Sequence, residues 1–177
     1  SLSWKGFSAK ERNEAEFLLF KRFSLNKIPF SLVEGKRCLD VGCGSGRYSL
    51  ALLSMGAKEV VGIDINKPVL KHKDFKFFKG DFSTLPFKES NFDFVFCNGV
   101  LHHSPNWENG LKECHRVLKK EGWIWYLGAG ASEKWKDADQ IRAKVNKKDA
   151  EAFARFLKHR SWSSSKIFFL LDMFFVP

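Results

Sequence analysis

The sequence predicts an open, doubly wound α/β domain, and three observations carry that expectation. Short apolar runs alternate with helical patterns from Arg37 to Leu127. The run Val60–Ile63 is apolar throughout rather than alternating, as a parallel strand buried on both faces requires. The first strand also runs straight into three glycines spaced G-x-G-x-G, at Gly42, Gly44 and Gly46, and a helical pattern follows at once. Such a turn lets a ligand lie against backbone at a helix start, where free N–H groups and the positive dipole end face it.

The elements follow in order. Glu11 to Ser24 reads as an amphipathic helix whose apolar face is Phe17, Leu18, Leu19 and Phe20. Pro29 and Gly35 bracket a connector. Arg37–Val41 is the first strand, and Gly46–Met55 the first long helix, closed by Gly56. After the second strand, Pro68 and the short span to Phe75 leave room for only a turn or two of helix. Phe75–Phe78 and Phe92–Cys97 are the third and fourth strands. Asn106–Leu118 is helical by the spacing of Trp107, Leu111, Cys114 and Val117; Gly122 ends that element and Trp123–Leu127 is the fifth strand. From Ser132 onward only helical patterns are legible. Right-handed crossovers between parallel strands then give a sheet with helices on both faces.

Bulk properties set the limits. The chain has 177 residues, one domain's worth, with 44% hydrophobic and 28% charged residues, the composition of a soluble globular protein. No apolar window reaches the length of a membrane span; the nearest, residues 167–177, carries Asp172. No signal-peptide pattern opens the sequence. The four cysteines, Cys38, Cys43, Cys97 and Cys114, form no C-x-x-C pair and read as reduced, buried thiols of a cytoplasmic protein. The net charge of +10 is spread over both halves of the chain. It admits an anionic partner such as RNA without favouring one over a lysine-rich solvated surface. Because it begins at Ser1 and stops within an apolar pattern at Pro177, the sequence reads as part of a longer chain.

The ligand is narrowed by spacing and by acids. The dinucleotide fingerprint is G-x-G-x-x-G, and Arg47 stands where its last small residue is needed. Asp64 ends the second strand about twenty residues after the first glycine, where a carboxylate accepts hydrogen bonds from ribose hydroxyls. Asp81 follows the third strand. With Asp40, these acids ring one crevice in a basic chain, which favours a cationic nucleoside over a pyrophosphate.

Taken together, Leu39-Asp-Val-Gly-Cys-Gly-Ser-Gly46, Val61-Gly-Ile-Asp64, Gly80-Asp-Phe-Ser-Thr-Leu-Pro-Phe87, Phe92-Asp-Phe-Val-Phe-Cys-Asn98, Val100-Leu-His-His103 and the Arg116–Gly122 stretch resemble the class I S-adenosylmethionine-dependent methyltransferases. The resemblance is to the small-molecule, ubiquinone/menaquinone-biosynthesis-like branch and covers residues 35–130. It implies a Rossmann-like doubly wound parallel sheet of order 3-2-1-4-5, with S-adenosylmethionine as methyl donor and S-adenosylhomocysteine as product. Gly42, Cys43, Gly44 and Gly46 would pass under the methionine part, and Asp40 would help hold its ammonium. Asp64 would bind the ribose, with Ile65 against adenine. Asp81 would accept from the adenine amino group, Phe82 would meet the ring edge, and Asn98 would approach the sulfonium end. Two alternatives stay open: Asp40 as a satisfied strand-end carboxylate, and Asp81 as a cap for the turn through Ser83 or Thr84.

The domain reading is a helical cap over 1–34, a cofactor-binding core over 35–130, and a helical lid over 131–177 that is truncated at its C-terminus. The usual sixth and seventh strands have no counterpart in the pattern. A sulfonium methyl is already activated, so a base is needed only for a protonated nucleophile. His102 and His103, after strand four, could supply one, or could simply pack in their loop. No metal-ligand spacing is present. The expected function is methyl transfer to O, C or N of a small molecule. The rival readings are a non-catalytic cofactor-binding subunit and an RNA methyltransferase.

Overall fold

The computed structural model describes residues 8–25, 28–100, 107–127 and 166–169. Helix α1 (Ala9–Leu25) opens with a reciprocal cap. The Ser8 hydroxyl accepts from the Glu11 N–H at 3.2 Å while the Ser8 N–H donates to Glu11 Oε2 at 2.9 Å. Its buried stripe is Ala15, Leu19 and Phe23, spaced one helical turn apart. Phe17 and Phe20 of the expected face are exposed, Phe17 by 63%. Aromatic bulk had outweighed periodicity in reading that face.

Strand β1 (Arg37–Val41) enters the glycine turn, followed by α2 (Arg47–Ser54). Then come β2 (Glu59–Asp64), β3 (Phe75–Lys79), β4 (Phe92–Asn98), α3 (Trp107–Val117), β5 (Leu118–Leu127) and β6 (Lys166–Phe169). All pairings are parallel, in the order β3-β2-β1-β4-β5-β6. The core order 3-2-1-4-5 is therefore as expected. Three details differ. Residues 65–74 between β2 and β3 contain no helix. Strand β5 begins at Leu118, directly after α3, and Gly122 lies inside it instead of ending the helix. Strand β6 adds a sixth strand within 131–177, where only helix was expected and a sixth strand was thought missing. The rest of the proposed lid lies outside the described residues.

Strand residues alternate between two cores. Leu39, Val41, Ile63 and Val95 face α3 with Leu111 and Cys114. Cys38, Val60, Phe94, Phe96 and Trp125 face α1 and α2 with Leu19, Phe23, Ala51 and Leu52. All four cysteines are buried and free. Among the described residues no helix is long and apolar enough to cross a membrane. Val41 pairs with Ile63 on one side and Cys97 on the other, so β1, β2 and β4 end level with one another. The strand order reverses between β1 and β4, and the crevice opens there.

Candidate cofactor site

Beyond the carboxyl ends of β1, β2 and β4 lies a cavity of about 400 Å³, within the usual range for small-ligand pockets. Gly42 of the glycine turn, Ile63 to Asn66 at the end of β2, Gly80, Asp81 and Phe82 after β3, and Gly99 and Val100 after β4 line it. No cation lines it.

Asp64 organises this end of the sheet. Its Oδ2 accepts the Gly44 N–H at 2.9 Å and its Oδ1 the Asn66 N–H at 2.8 Å. The Gly42 and Cys43 N–H groups donate to the Ile63 carbonyl at 2.8 and 3.1 Å. The glycine turn is thus tied to the end of β2 by backbone and side chain together. A Cβ on Gly42 would stand 2.6 Å from Val100 Cγ1, and one on Gly46 2.6 Å from Leu70 Cβ; both glycines have positive φ. These two are required by the protein's own packing. Gly44 differs: nothing lies within 4 Å of the place its Cβ would take, so its backbone is open to a ligand.

Ile65 is 61% exposed although it is apolar, and it lines the cavity, where it offers a surface for a flat ring. Asp81 also lines it, and its Oδ1 accepts the Ser83 N–H at 2.6 Å. Its hydrogen bonding with Ser83 holds the carboxyl below its usual range, so it is ionised near neutrality. The turn-capping role is therefore present, and Asp81 faces the cavity as well.

Asp40, Cys43, Gly44, Gly46 and Asn98 are not among the lining residues. Asp40 is buried on the α2 side of β1, where the Ser49 hydroxyl donates to its Oδ2 at 2.6 Å. Burial pushes its carboxyl up to about 7, opposed by the Ser49 hydrogen bond and reinforced by the Asp64 charge. The Cys43 thiol is buried and pushed far above its usual range, mainly by desolvation and then by the Asp40 and Asp64 charges. Asn98 Oδ1 accepts from Arg22 Nη1 of α1 at 3.3 Å. That contact spans most of the described chain, and no local pattern announces it. His102 and His103 lie outside the described residues. Sequence reading missed Ile63, Asn66, Gly80, Gly99 and Val100, although each lies within two residues of a strand end.

A parallel sheet with an acid-rimmed crevice at its switch point, closed by a glycine turn, defines a nucleoside-binding α/β domain. The family described as a methyltransferase domain matches residues 39–126. That segment is a methyltransferase domain of the class I S-adenosylmethionine-dependent kind. Squalene methyltransferase 1 of Botryococcus braunii is 36% identical over 102 residues, covering 51% of this chain and 27% of that protein. The tRNA U34 carboxymethyltransferase of Campylobacter hominis is 31% identical over 120 residues, covering 62% of this chain and 41% of that protein. The chain thus spans less than half the length of either relative. The solved PH0226 protein of Pyrococcus horikoshii superposes with a TM-score of 0.52 at 28% identity, covering 65% of this chain and 56% of that one.

Proposed function

We propose that this chain transfers the methyl group of S-adenosylmethionine to O, C or N of a small-molecule acceptor. The observation that carries the reading is Asp64. It sits at the end of β2 with one carboxylate oxygen on the open Gly44 turn, beside exposed Ile65, in a cavity that ionised Asp81 also lines. Asp64 would take the ribose hydroxyls, Ile65 and Phe82 the adenine faces and edge, and Asp81 the adenine amino group. Gly42, Cys43, Gly44 and Gly46 carry the backbone under the methionine end. Asp40 and Asn98 support that end from behind, through Ser49 and Arg22 respectively.

When bound, the sulfonium supplies an already activated methyl. The protein's part is to hold the donor fixed while an acceptor lines up with it, an alignment that can contribute roughly 7–11 kcal/mol. Where the acceptor arrives protonated, His102 or His103 would serve as base. Residues 35–130 form the donor-binding core in this reading, with 1–34 as a cap and 131–177 over the acceptor. Four buried thiols, none in a disulfide, support a reducing cytoplasmic setting. An RNA acceptor is the second reading, favoured by the net charge of +10 and by similarity to an enzyme named for tRNA.

The test is calorimetry with S-adenosylhomocysteine. Asp64→Ala should weaken binding at least tenfold, and Asp64→Asn should lose less because an amide oxygen can still accept the Gly44 N–H. Unchanged affinity in a folded Asp64→Ala protein would sink the assignment.

A further inference from the structure

The connection from β2 to β3 carries a second hollow, of about 600 Å³, on the side of the sheet covered elsewhere by α1 and α2. Parallel strands are ordinarily joined by a helix that covers the sheet face between them. Residues 65–74 form none, so the α2 side of edge strand β3 lacks that cover among the described residues. Phe75 and Phe77, two residues apart, point to this same side and stand half-buried in the hollow. Lys67, Lys71 and Lys73 form its rim with His72, and no acid lines it. Asp74, the acid closest in sequence, is engaged with its neighbours: its N–H donates to His72 Nδ1 at 3.1 Å and its carboxylate lies 3.9 Å from Lys73 Nζ. Lys76, between the two phenylalanines, instead faces the other way and pairs with Glu59 at 2.5 Å, so the groove's cations are Lys67, Lys71 and Lys73.

We infer that this groove binds single-stranded RNA, with a base entering against Phe77 and Phe75 and the phosphates following the lysine rim. Aromatic floors under cationic rims are how proteins hold single strands, because every base has a stacking face and every nucleotide a charge. The shape selects among polyanions. Phe75 and Phe77 are half-buried whereas Lys67, Lys71 and Lys73 are exposed, so a flat anionic bilayer would meet the lysines before the rings. A duplex keeps its bases stacked inside and could not offer one to the floor. The groove starts at Lys67, immediately after Asn66 of the cofactor cavity, and shares no lining residue with that cavity. Binding there is therefore a property beyond methyl transfer and does not make RNA the acceptor.

The experiment is fluorescence anisotropy of the full chain with a labelled single-stranded oligouridylate of about twelve nucleotides, repeated across a salt series. Lys71→Glu with Lys73→Glu should weaken binding tenfold or more. It should also lower the slope of log affinity against log salt by about 1.4, the loss of two phosphate contacts. Phe77→Leu should weaken binding about fivefold or more with the slope unchanged, since stacking is lost and charge is kept. The pair Lys10→Glu and Lys88→Glu makes the same charge change away from the groove and should have a much smaller effect. S-adenosylhomocysteine affinity should be unchanged in the Lys71/Lys73 variant, which shows that it is folded and keeps this test separate from that of the proposed function. The inference is overturned if the two double variants weaken binding equally, if Phe77→Leu binds as the parent does, or if vesicles of equal phosphatidylserine and phosphatidylcholine displace the RNA.

Discussion

Asp40 and Asp64 are both strand-end acids, yet their environments set them opposite tasks. Asp64 lies at the solvent end of β2 and spends its two oxygens on N–H groups of the glycine turn and of Asn66. Asp40 is sealed against α2 with Ser49, and burial lifts its carboxyl to about 7. The consequence for stability has a definite sign. Between about pH 4 and about pH 7 the folded protein keeps a proton on Asp40 that the unfolded chain has lost, so stability falls as pH rises through that window. Asp40→Asn removes this dependence while an amide oxygen can still accept from Ser49. Relative to the parent, the variant should gain on the order of 1–3 kcal/mol in unfolding free energy between about pH 5 and about pH 8. Urea denaturation at the two pH values measures it, and parallel profiles for the two proteins would show that Asp40 carries no such proton.

At the level of elements, α1 is held by aromatic packing rather than by its own helical preference. Phe23 is fully buried, stacked on Trp125 of β5 at 5.4 Å and on Phe30 at 5.9 Å, and tilted on Phe94 at 6.2 Å. Phe23→Ala should cost about 3–5 kcal/mol in chemical denaturation. By displacing Arg22 it should also weaken S-adenosylhomocysteine binding, whereas Phe17→Ala, at an exposed site, should do neither. The same helix shows where sequence reading fails. Strands β1, β2 and β4 were legible because strands buried on both faces must be runs of apolar residues, and β3, a half-exposed edge strand, from its phenylalanines. The start of β5 was not, since Lys119-Lys120-Glu121-Gly122 reads as a polar break. In the fold, Lys119 Nζ pairs with Asp93 at 2.8 Å. The extra residues bulge between the Phe92–Leu118 and Phe94–Trp123 pairs. Gly122 is needed because a Cβ there would meet Leu118 Cδ1 at 2.7 Å and the Asp93 carbonyl at 3.0 Å. Strand β6 is four residues at the far edge, too short for a period to show. In the candidate site, Asp64 and Asp81 were legible as strand-end acids, while Ile65 and Phe82 came only with the family resemblance. The Arg22–Asn98 contact was not, because only tertiary packing brings α1 to β4.

Over the whole molecule, charge is sorted by place rather than by sequence region. The crevice beyond the strand ends has acids and no cation, and the neighbouring groove has cations and no acid, with Asn66 and Lys67 at the boundary. A net charge of +10 therefore describes neither hollow. The acidic one should prefer a nucleoside without phosphates, and this separates the methyl-donor reading from a dinucleotide reading in one measurement. A ligand that binds only the folded protein stabilises it by about 2.7 kcal/mol when present at 100 times its dissociation constant. For a chain of this size that corresponds to a rise in melting temperature of about 5 °C or more. S-adenosylhomocysteine should produce such a rise. NADH at the same concentration should produce none, because Arg47 stands where the dinucleotide fingerprint needs its last small residue for the pyrophosphate to approach. A comparable rise with NADH would place a dinucleotide in the crevice and overturn the assignment of its ligand. Carrying Asp64→Ala through the same scan locates the effect, since its S-adenosylhomocysteine shift should collapse while its ligand-free melting temperature changes far less.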